Sequence, residues 1–191
     1  MRLFVAVEIP EAVRQVLRAW IRPLEAAYPG ARWVPVANLH VTLKFIGDAH
    51  ADSLEETRAA LRTVRQPQAI EIRFRGAGFF PNERRPRVLW AGVEAGPELE
   101  SLARAIDSAL EPTGIARETR NFRPHLTVAR FPEKSDAGGV GRIRGTLAAA
   151  SAPDFGAARV ADFHLYRSVL NPSGAEYTRL DSFDFTRSDS E

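Results

Sequence analysis

Two stretches of this 191-residue chain, one in each half, repeat a single pattern. Residues 38–47 read NLHVTLKFIG, and residues 120–131 read RNFRPHLTVARF. Each places a histidine two residues before a threonine, His40 and Thr42 in the first copy and His125 and Thr127 in the second. Val41, Leu43 and Phe45 fill the alternate positions of the first copy. Successive side chains of a strand point to opposite faces. One face of each strand is therefore apolar, while the other carries an imidazole and a hydroxyl in a row, with Lys44 next in the first copy. One His-x-Thr occurs by chance, but two in matched strand contexts mark internal symmetry. Such a chain is expected to form two related lobes, each presenting one of these strands.

The rest of the sequence supplies the elements around them. Residues 2–9 (RLFVAVEI) read as a strand, and Pro10 suits the start of the helix that follows. Val13, Leu17, Trp20 and Leu24 recur at helical spacing over residues 11–27, where Pro23 is expected to kink or shorten the helix. Asp52 with Glu55 marks a capped helix running to about residue 65. Strands are predicted over 70–74 and 87–93, flanking a loop, GAGFFPNERRP, that carries Arg84, Arg85 and Arg87. Leu99, Leu102, Ile106 and Leu110 define another helix, stopped by Pro112 and Gly114. The second motif strand is predicted over 120–131. Residues 133–153 read as a glycine-rich loop with one short helix. Strands over 159–169 and 176–185 are joined by the turn Asn171-Pro172-Ser173-Gly174, and the tail 186–191 is polar and frayed. The hairpins and paired strands favour an α+β fold over a parallel sheet. The expected architecture is bilobal and pseudo-twofold, with two antiparallel sheets, outer helices and a central cleft. Residues 1–191 then form one domain of two intertwined lobes.

Composition removes several classes of function. No cysteine is present, which excludes disulfides, thiolate metal sites and a thiol nucleophile. No apolar run approaches the length of a membrane span, and residues 3–7 are too short for a signal-peptide core, so a cytoplasmic protein is expected. A net charge of +2 does not by itself announce a nucleic-acid binder. Lys44 and Lys134 are the lysines and the other 24 cations are arginines, so only arginines clustered near a site carry weight. Two histidines without a third ligand at a recognisable spacing do not make a zinc site, and no metal or other cofactor is expected.

If the two polar strand faces look at each other across a cleft, two imidazoles flank one reacting atom. Histidine has an unperturbed pKa of roughly 6.5, so near neutrality one ring can be neutral and the other protonated. Such a pair removes a proton on one side and donates one on the other, which in-line displacement at phosphorus requires. The threonine hydroxyls would hold the non-bridging oxygens, helped by a nearby cation.

The paired motifs resemble those of the two-histidine phosphoesterases. With MRLFVAVEIP, RPRVLWAGV, FRPHLTVAR and the closing YRSVL-NPSGAEYTRL hairpin, nearly the whole chain is similar to the RNA 2',3'-cyclic phosphodiesterases of bacteria and archaea, historically called 2'-5' RNA ligases. Residues 133–153 are the least family-like part. The resemblance implies metal-independent hydrolysis of a terminal 2',3'-cyclic phosphate to a 2'-phosphate. His40 would be the proton donor and His125 the acceptor, with Thr42 and Thr127 on the phosphate. It implies as partner an RNA bearing such an end, tRNA fragments included, or a small nucleotide, acted on by a monomer. Arg130 corresponds to a family arginine and would contact phosphate or else form a surface ion pair. Strict alternation points it away from His125, so the strand must bend or end there. Arg123 falls on the His125 face. Lys44 shares the His40 face and is either a phosphate contact or a solvated rim residue. Arg84, Arg85 and Arg87 read as a solvated loop or a guide for the RNA backbone. Trp33, Phe45 and Phe80 read as core, with one aromatic stacking a terminal base. His50 and His164 are expected in structural or solvent roles. The same acid–base pair run backwards would join RNA ends through a 2'-5' linkage. A non-catalytic RNA-binding module is the third reading, one that loss of a motif histidine would signal.

Overall fold

The computed structural model describes residues 1–50, 53–66, 68–133, 137–149, 152–171 and 174–185. The predicted cap at Asp52, the hairpin tip at Pro172-Ser173 and the tail 186–191 lie outside the described residues.

Two antiparallel sheets carry the fold. The first has the order β3–β1–β8–β9, built from β1 (Arg2–Glu8), β3 (His40–Asp48), β8 (Asp162–Asn171) and β9 (Gly174–Asp184). The second has the order β2–β6–β5–β4–β7, built from β2 (Arg32–Trp33), β6 (His125–Arg130), β5 (Val88–Ala95), β4 (Ile70–Phe80) and β7 (Asp154–Val160). The class is α+β, as expected. β3 and β6, the two motif strands, lie against each other where the sheets meet.

Helices cover the outer faces with an exchange between halves. α1 (Glu11–Ala27) follows β1 of the first sheet but packs on β7 of the second. α3 (Pro97–Leu110) follows β5 of the second sheet but packs on β3 of the first. The predicted stripes explain both contacts: Val13, Leu17, Ile21 and Leu24 of α1 are buried, as are Leu99, Leu102, Ile106 and Leu110 of α3. One apolar core links these helices with both sheets, α2 (Leu54–Arg62) and α4 (Ala137–Ala149). Pro23 does not shorten α1, which runs its predicted length.

Some boundaries differ from the sequence reading, for identifiable reasons. β4 continues to Phe80 through what reads as a glycine-rich loop. Arg75 and Gly76 form a bulge opposite Gly92, with Gly76 at φ 78°, a backbone angle that glycine adopts without a Cβ penalty. A Cβ on Gly92 would lie 2.1 Å from the Arg75 carbonyl oxygen, so the bulge also needs glycine across from it. β7 was not predicted, because its residues mix Gly156 and two alanines and alternate poorly. Arg159 and Val160 belong to β7 rather than to the start of the hairpin strand. β6 begins at His125, not at residue 120, since residues 120–124 make no ladder.

The most consequential difference is a bulge in each motif strand. Thr42 pairs with Ala6 and Lys44 with Val5, so Leu43 is an extra residue in β3. Thr127 pairs with Trp90 and Ala129 with Leu89, so Val128 is the extra residue in β6. The bulges occupy equivalent places and reset the alternation. Leu43 and Lys44 are both buried, as are Val128 and Ala129, and the next residues, Phe45 and Arg130, return to the exposed side.

Lys44 therefore leaves the His40 face, contrary to expectation. Its side chain is 5% exposed, forms an ion pair with Asp107 of α3 and donates to the Ala116 carbonyl at 2.6 Å. Asp107 also accepts from the Glu118 backbone N–H at 3.1 Å. Lys44 is thus a buried tie to the segment that leads into His125, neither rim residue nor phosphate ligand. Phe45, expected in the core, is instead 61% exposed. Removing one member of a buried pair strands a charge and costs roughly 3–5 kcal/mol. Asp107→Ala, which strands the Lys44 ammonium, is expected to destabilise by that order, and Lys44→Met by clearly less, because the carboxylate it strands is more exposed and keeps the Glu118 N–H. Chemical denaturation of the two variants checks the order; equal losses would contradict it.

Candidate active site

The site is built on the two bulged strands. His40 and Thr42 from β3, and His125 and Thr127 from β6, are all half-buried on the side opposite the main core. The two imidazoles are near enough for His125 to act electrostatically on His40.

Both histidines are held in one way. His40 Nδ1 lies 2.7 Å from the carbonyl oxygen of Asn38, and His125 Nδ1 lies 2.7 Å from that of Arg123. A carbonyl oxygen only accepts, so each Nδ1 carries a proton and donates it. That fixes the tautomer and leaves Nε2 of each ring for a ligand. Asn38 is itself fixed, donating through Nδ2 to the Ala175 carbonyl at 2.8 Å. Arg123 contributes through its carbonyl. It precedes β6, so the alternation used to aim its side chain does not apply, and that side chain is exposed.

The surroundings of the two rings differ. His40 stacks on Phe4 at 4.7 Å between centroids and meets Tyr177 edge-on at 5.3 Å. Phe4, Ala6 and Tyr166 form a small apolar cluster separate from the main core, with Tyr177 packed against it. Beside them is a cavity of about 200 Å³ lined by Asn38, His40, Tyr166, Glu8, Arg14 and Arg179, among others. Glu8, opposite His40 in the ladder, accepts from the Tyr166 hydroxyl at 2.6 Å and from Arg179 at 2.9 Å. Burial would raise the Glu8 carboxyl, but these partners outweigh it and the net shift is downward.

His125 has a sparser setting. Phe80 meets it edge-on at 5.0 Å, and Phe80 in turn packs on Trp90 at 5.5 Å. Phe80 was expected in the core; its place in β4, on the site face, follows from the strand's unpredicted extension. Arg130 is exposed, and the Val128 bulge gives it the bend that its expected phosphate role required. Its charge is felt by both His125 and Tyr177, which belong to different sheets.

Burial is the main influence on both imidazoles and pushes both down. The hydrogen bonds to Asn38 and Arg123 oppose that shift, His125 adds to it at His40, and Arg130 adds to it at His125. The surroundings of both rings therefore favour the neutral imidazole over the imidazolium.

The remaining candidates fall outside the site. His50 is exposed. His164 is buried, with Nδ1 3.0 Å from Ser182 Oγ. Trp33 is half-buried and donates to the Tyr28 carbonyl at 3.0 Å. Among the described residues, no group of three or more His, Cys, Asp or Glu is placed to hold a metal ion, and no helix is long and apolar enough to cross a membrane. Phe4, Glu8, Tyr166, Tyr177 and Arg179 were not singled out from the sequence. They come together through strand register, and only the closeness of Glu8 to an apolar strand end hinted at one of them.

Residues 10–171 match the family model described as the 2'-5' RNA ligase superfamily. The chain is 34% identical to the RNA 2',3'-cyclic phosphodiesterase of Archaeoglobus fulgidus over 96% of this chain and 100% of that one. It is 35% identical to the RNA 2',3'-cyclic phosphodiesterase of Methanothermobacter thermautotrophicus over 96% and 98%. The crystal structure of E. coli LigT complexed with 3'-AMP superposes with a TM-score of 0.78 at 28% identity, covering 97% of this chain and 98% of that one.

In an NMR titration of the free protein, His40 and His125 are expected to titrate below the ordinary value of roughly 6.5. Arg130→Gln removes a neighbouring positive charge and should move His125 upward. A titration of either wild-type ring above the ordinary value would contradict the burial argument.

Proposed function

This chain belongs to the 2'-5' RNA ligase superfamily and is a phosphodiesterase, and on that premise we propose that it opens terminal 2',3'-cyclic phosphates of RNA by a two-histidine mechanism without a metal. The observation that carries the mechanism is the matched pair of Nδ1–carbonyl hydrogen bonds, which readies both Nε2 atoms for proton transfer.

In this reaction His125 Nε2 takes a proton from water as the water oxygen bonds to phosphorus. The bond from phosphorus to the 3'-oxygen breaks, and His40, protonated at Nε2, gives its proton to that oxygen. The product is a 2'-phosphate beside a free 3'-hydroxyl. Thr42 and Thr127 hold the non-bridging oxygens, and Arg130 offsets the charge that gathers on them. His40 must be protonated to serve, and its protein surroundings oppose that. The anionic phosphate restores the balance: at about 4 Å and an effective dielectric near 20, a charge pair is worth roughly 4 kcal/mol, and one pKa unit corresponds to only about 1.4 kcal/mol. Substrate binding thus loads the acid. Both histidines come from one chain, which supports action as a monomer, and a cellular RNA substrate supports a cytoplasmic setting. The reverse reaction, joining RNA ends through a 2'-5' linkage, uses the same groups in the opposite order.

His40→Ala and His125→Ala are each expected to lower turnover of an RNA with a 2',3'-cyclic phosphate end by roughly 10²–10⁴-fold, the usual worth of a general acid or base. Near wild-type turnover in either variant would sink the assignment. Chromatography of the product against both isomers should show the 2'-phosphate; a 3'-phosphate would reverse the roles of the two rings. Turnover should persist in EDTA, and restoration by one particular metal after its loss would contradict a metal-free mechanism. The pH profile of kcat/KM, which reports the free enzyme, should be bell-shaped with its maximum below pH ~6.5, because both imidazoles are pushed down.

A further inference from the structure

We propose that a basic groove beside Phe80 binds the sugar–phosphate backbone of the RNA strand whose end lies between His40 and His125, so that the preferred substrate is an oligonucleotide rather than a mononucleotide. This rests on the function proposed above.

The groove is a cavity of about 760 Å³ between the β4–β5 connection and α4. Arg84, Arg85, Arg87 and Arg144 line it together with Pro81 and Val140. Glu133 is the one acid in the lining among the described residues. The volume lies in the range that holds drug-sized ligands, enough for a short segment of a strand. Guanidinium groups match phosphate oxygens in a planar, bidentate way. Among the described residues the lining contains no aromatic side chain on which a base could stack, so the chemistry favours backbone over bases, and length over sequence.

Three features show that the arginines are set for a ligand. The Asn82 side chain accepts the backbone N–H groups of Arg84 and Arg85, at 3.0 Å and 3.1 Å, and so holds the loop that displays them. Arg144 reaches across from α4 to the Glu83 carbonyl, while its Nε is buried with no hydrogen-bond partner among the described residues. A buried donor left unpaired is costly, so a ligand that draws the Arg144 guanidinium toward the groove gives it a partner it lacks. Arg87 pairs with Glu133 at 3.0 Å, but both are exposed, and such pairs are worth little. A phosphate exchanges readily for that carboxylate.

The groove neighbours the His125 side of the site along the chain. Phe80 touches His125, and Pro81, the next residue, is in the groove wall. The Arg87 N–H donates to the Phe80 carbonyl, and the Arg87 carbonyl accepts from Phe131, the residue after Arg130. A strand leaving the two histidines past Phe80 enters between the arginines. Val140 and Arg144 of this wall come from α4.

The test uses the whole protein and a 5'-fluorescein hexanucleotide RNA ending in 2'-phosphate, followed by anisotropy between 50 and 200 mM salt. Wild type should bind the hexamer on the order of tenfold or more tighter than a mononucleotide 2'-phosphate. Arg84→Gln/Arg85→Gln should weaken hexamer binding about tenfold and flatten the log–log salt slope by roughly 0.7 for each phosphate that is no longer neutralised. Its turnover of a mononucleotide 2',3'-cyclic phosphate, which does not reach the groove, should stay within about twofold of wild type. Glu133→Gln, which frees Arg87, should tighten the hexamer, an effect that misfolding would not produce. Equal binding of hexamer and mononucleotide, unchanged binding by the double variant, or equal competition by a hexaglutamate peptide would each overturn the proposal. Groove-dependent binding without turnover of any cyclic end would leave the groove standing and remove the reaction assigned above. Turnover without any length effect would do the reverse.

Discussion

A strand that must bury one face and do chemistry on the other has room for only every second residue, and the motif bulges relax that limit here. His-x-Thr fits strict alternation. The next group needed at the phosphate does not, because the position two beyond threonine must turn inward to close the core. By inserting Leu43 in one lobe and Val128 in the other, the chain sends two consecutive residues inward and brings the fifth position after histidine back to the site face. Backbone symmetry is thus kept while the side chains at equivalent positions diverge. Phe45 stands where Arg130 stands, and the buried Lys44 stands where Ala129 does. One lobe therefore brings a cation to the site face, and the other brings an aromatic.

That divergence is what separates the two imidazoles, since their local hydrogen bonds are the same. His40 is walled by Phe4, Tyr166 and Tyr177, and Arg130 lies beside His125. Both environments disfavour the imidazolium, but one does so by excluding water and the other partly by charge. A bound phosphate anion answers the second directly, by neutralising the guanidinium, and the first by supplying the counter-charge that solvent cannot. The two rings can therefore start alike and become different when an anionic ligand arrives, which suits a pair that works as one acid and one base.

The sequence was most legible where chemistry and periodicity coincide. His40, Thr42, His125 and Thr127 could be read because two copies of a rare pattern identify each other, and α1 and α3 because their stripes are regular. Lys44 was misread for the same reason that the strands were found: alternation was carried one residue past a bulge that no residue type announces. β4 was cut short at Gly76, where glycine serves a bulge rather than a turn. Phe4, Tyr166 and Tyr177 lie on three strands, and nothing in one sequence states the register that brings them around His40. α4 has no clear apolar stripe, and its two buried anchors, Val140 and Ile143, only make sense once Tyr28 and the second sheet are in place.

The two rims of the site follow from what each lobe adds to the shared frame. In the first sheet the third and fourth strands are the β8–β9 hairpin, whose Tyr166, Tyr177 and Arg179 close over His40 and leave a cavity of about 200 Å³. In the second sheet the corresponding edge is β4 and β7, which contribute no such cage, and α4 stands off from the β4–β5 connection to leave about 760 Å³ lined with arginine. A small pocket walled by tyrosines and hydrogen-bonded charges on one side and a larger, arginine-lined groove on the other do not suit the same part of a ligand. On the function proposed above, a pseudo-symmetric fold thus acquires a direction: the small pocket beside His40 suits the chain end, and the arginine-lined groove suits the polyanion that follows it.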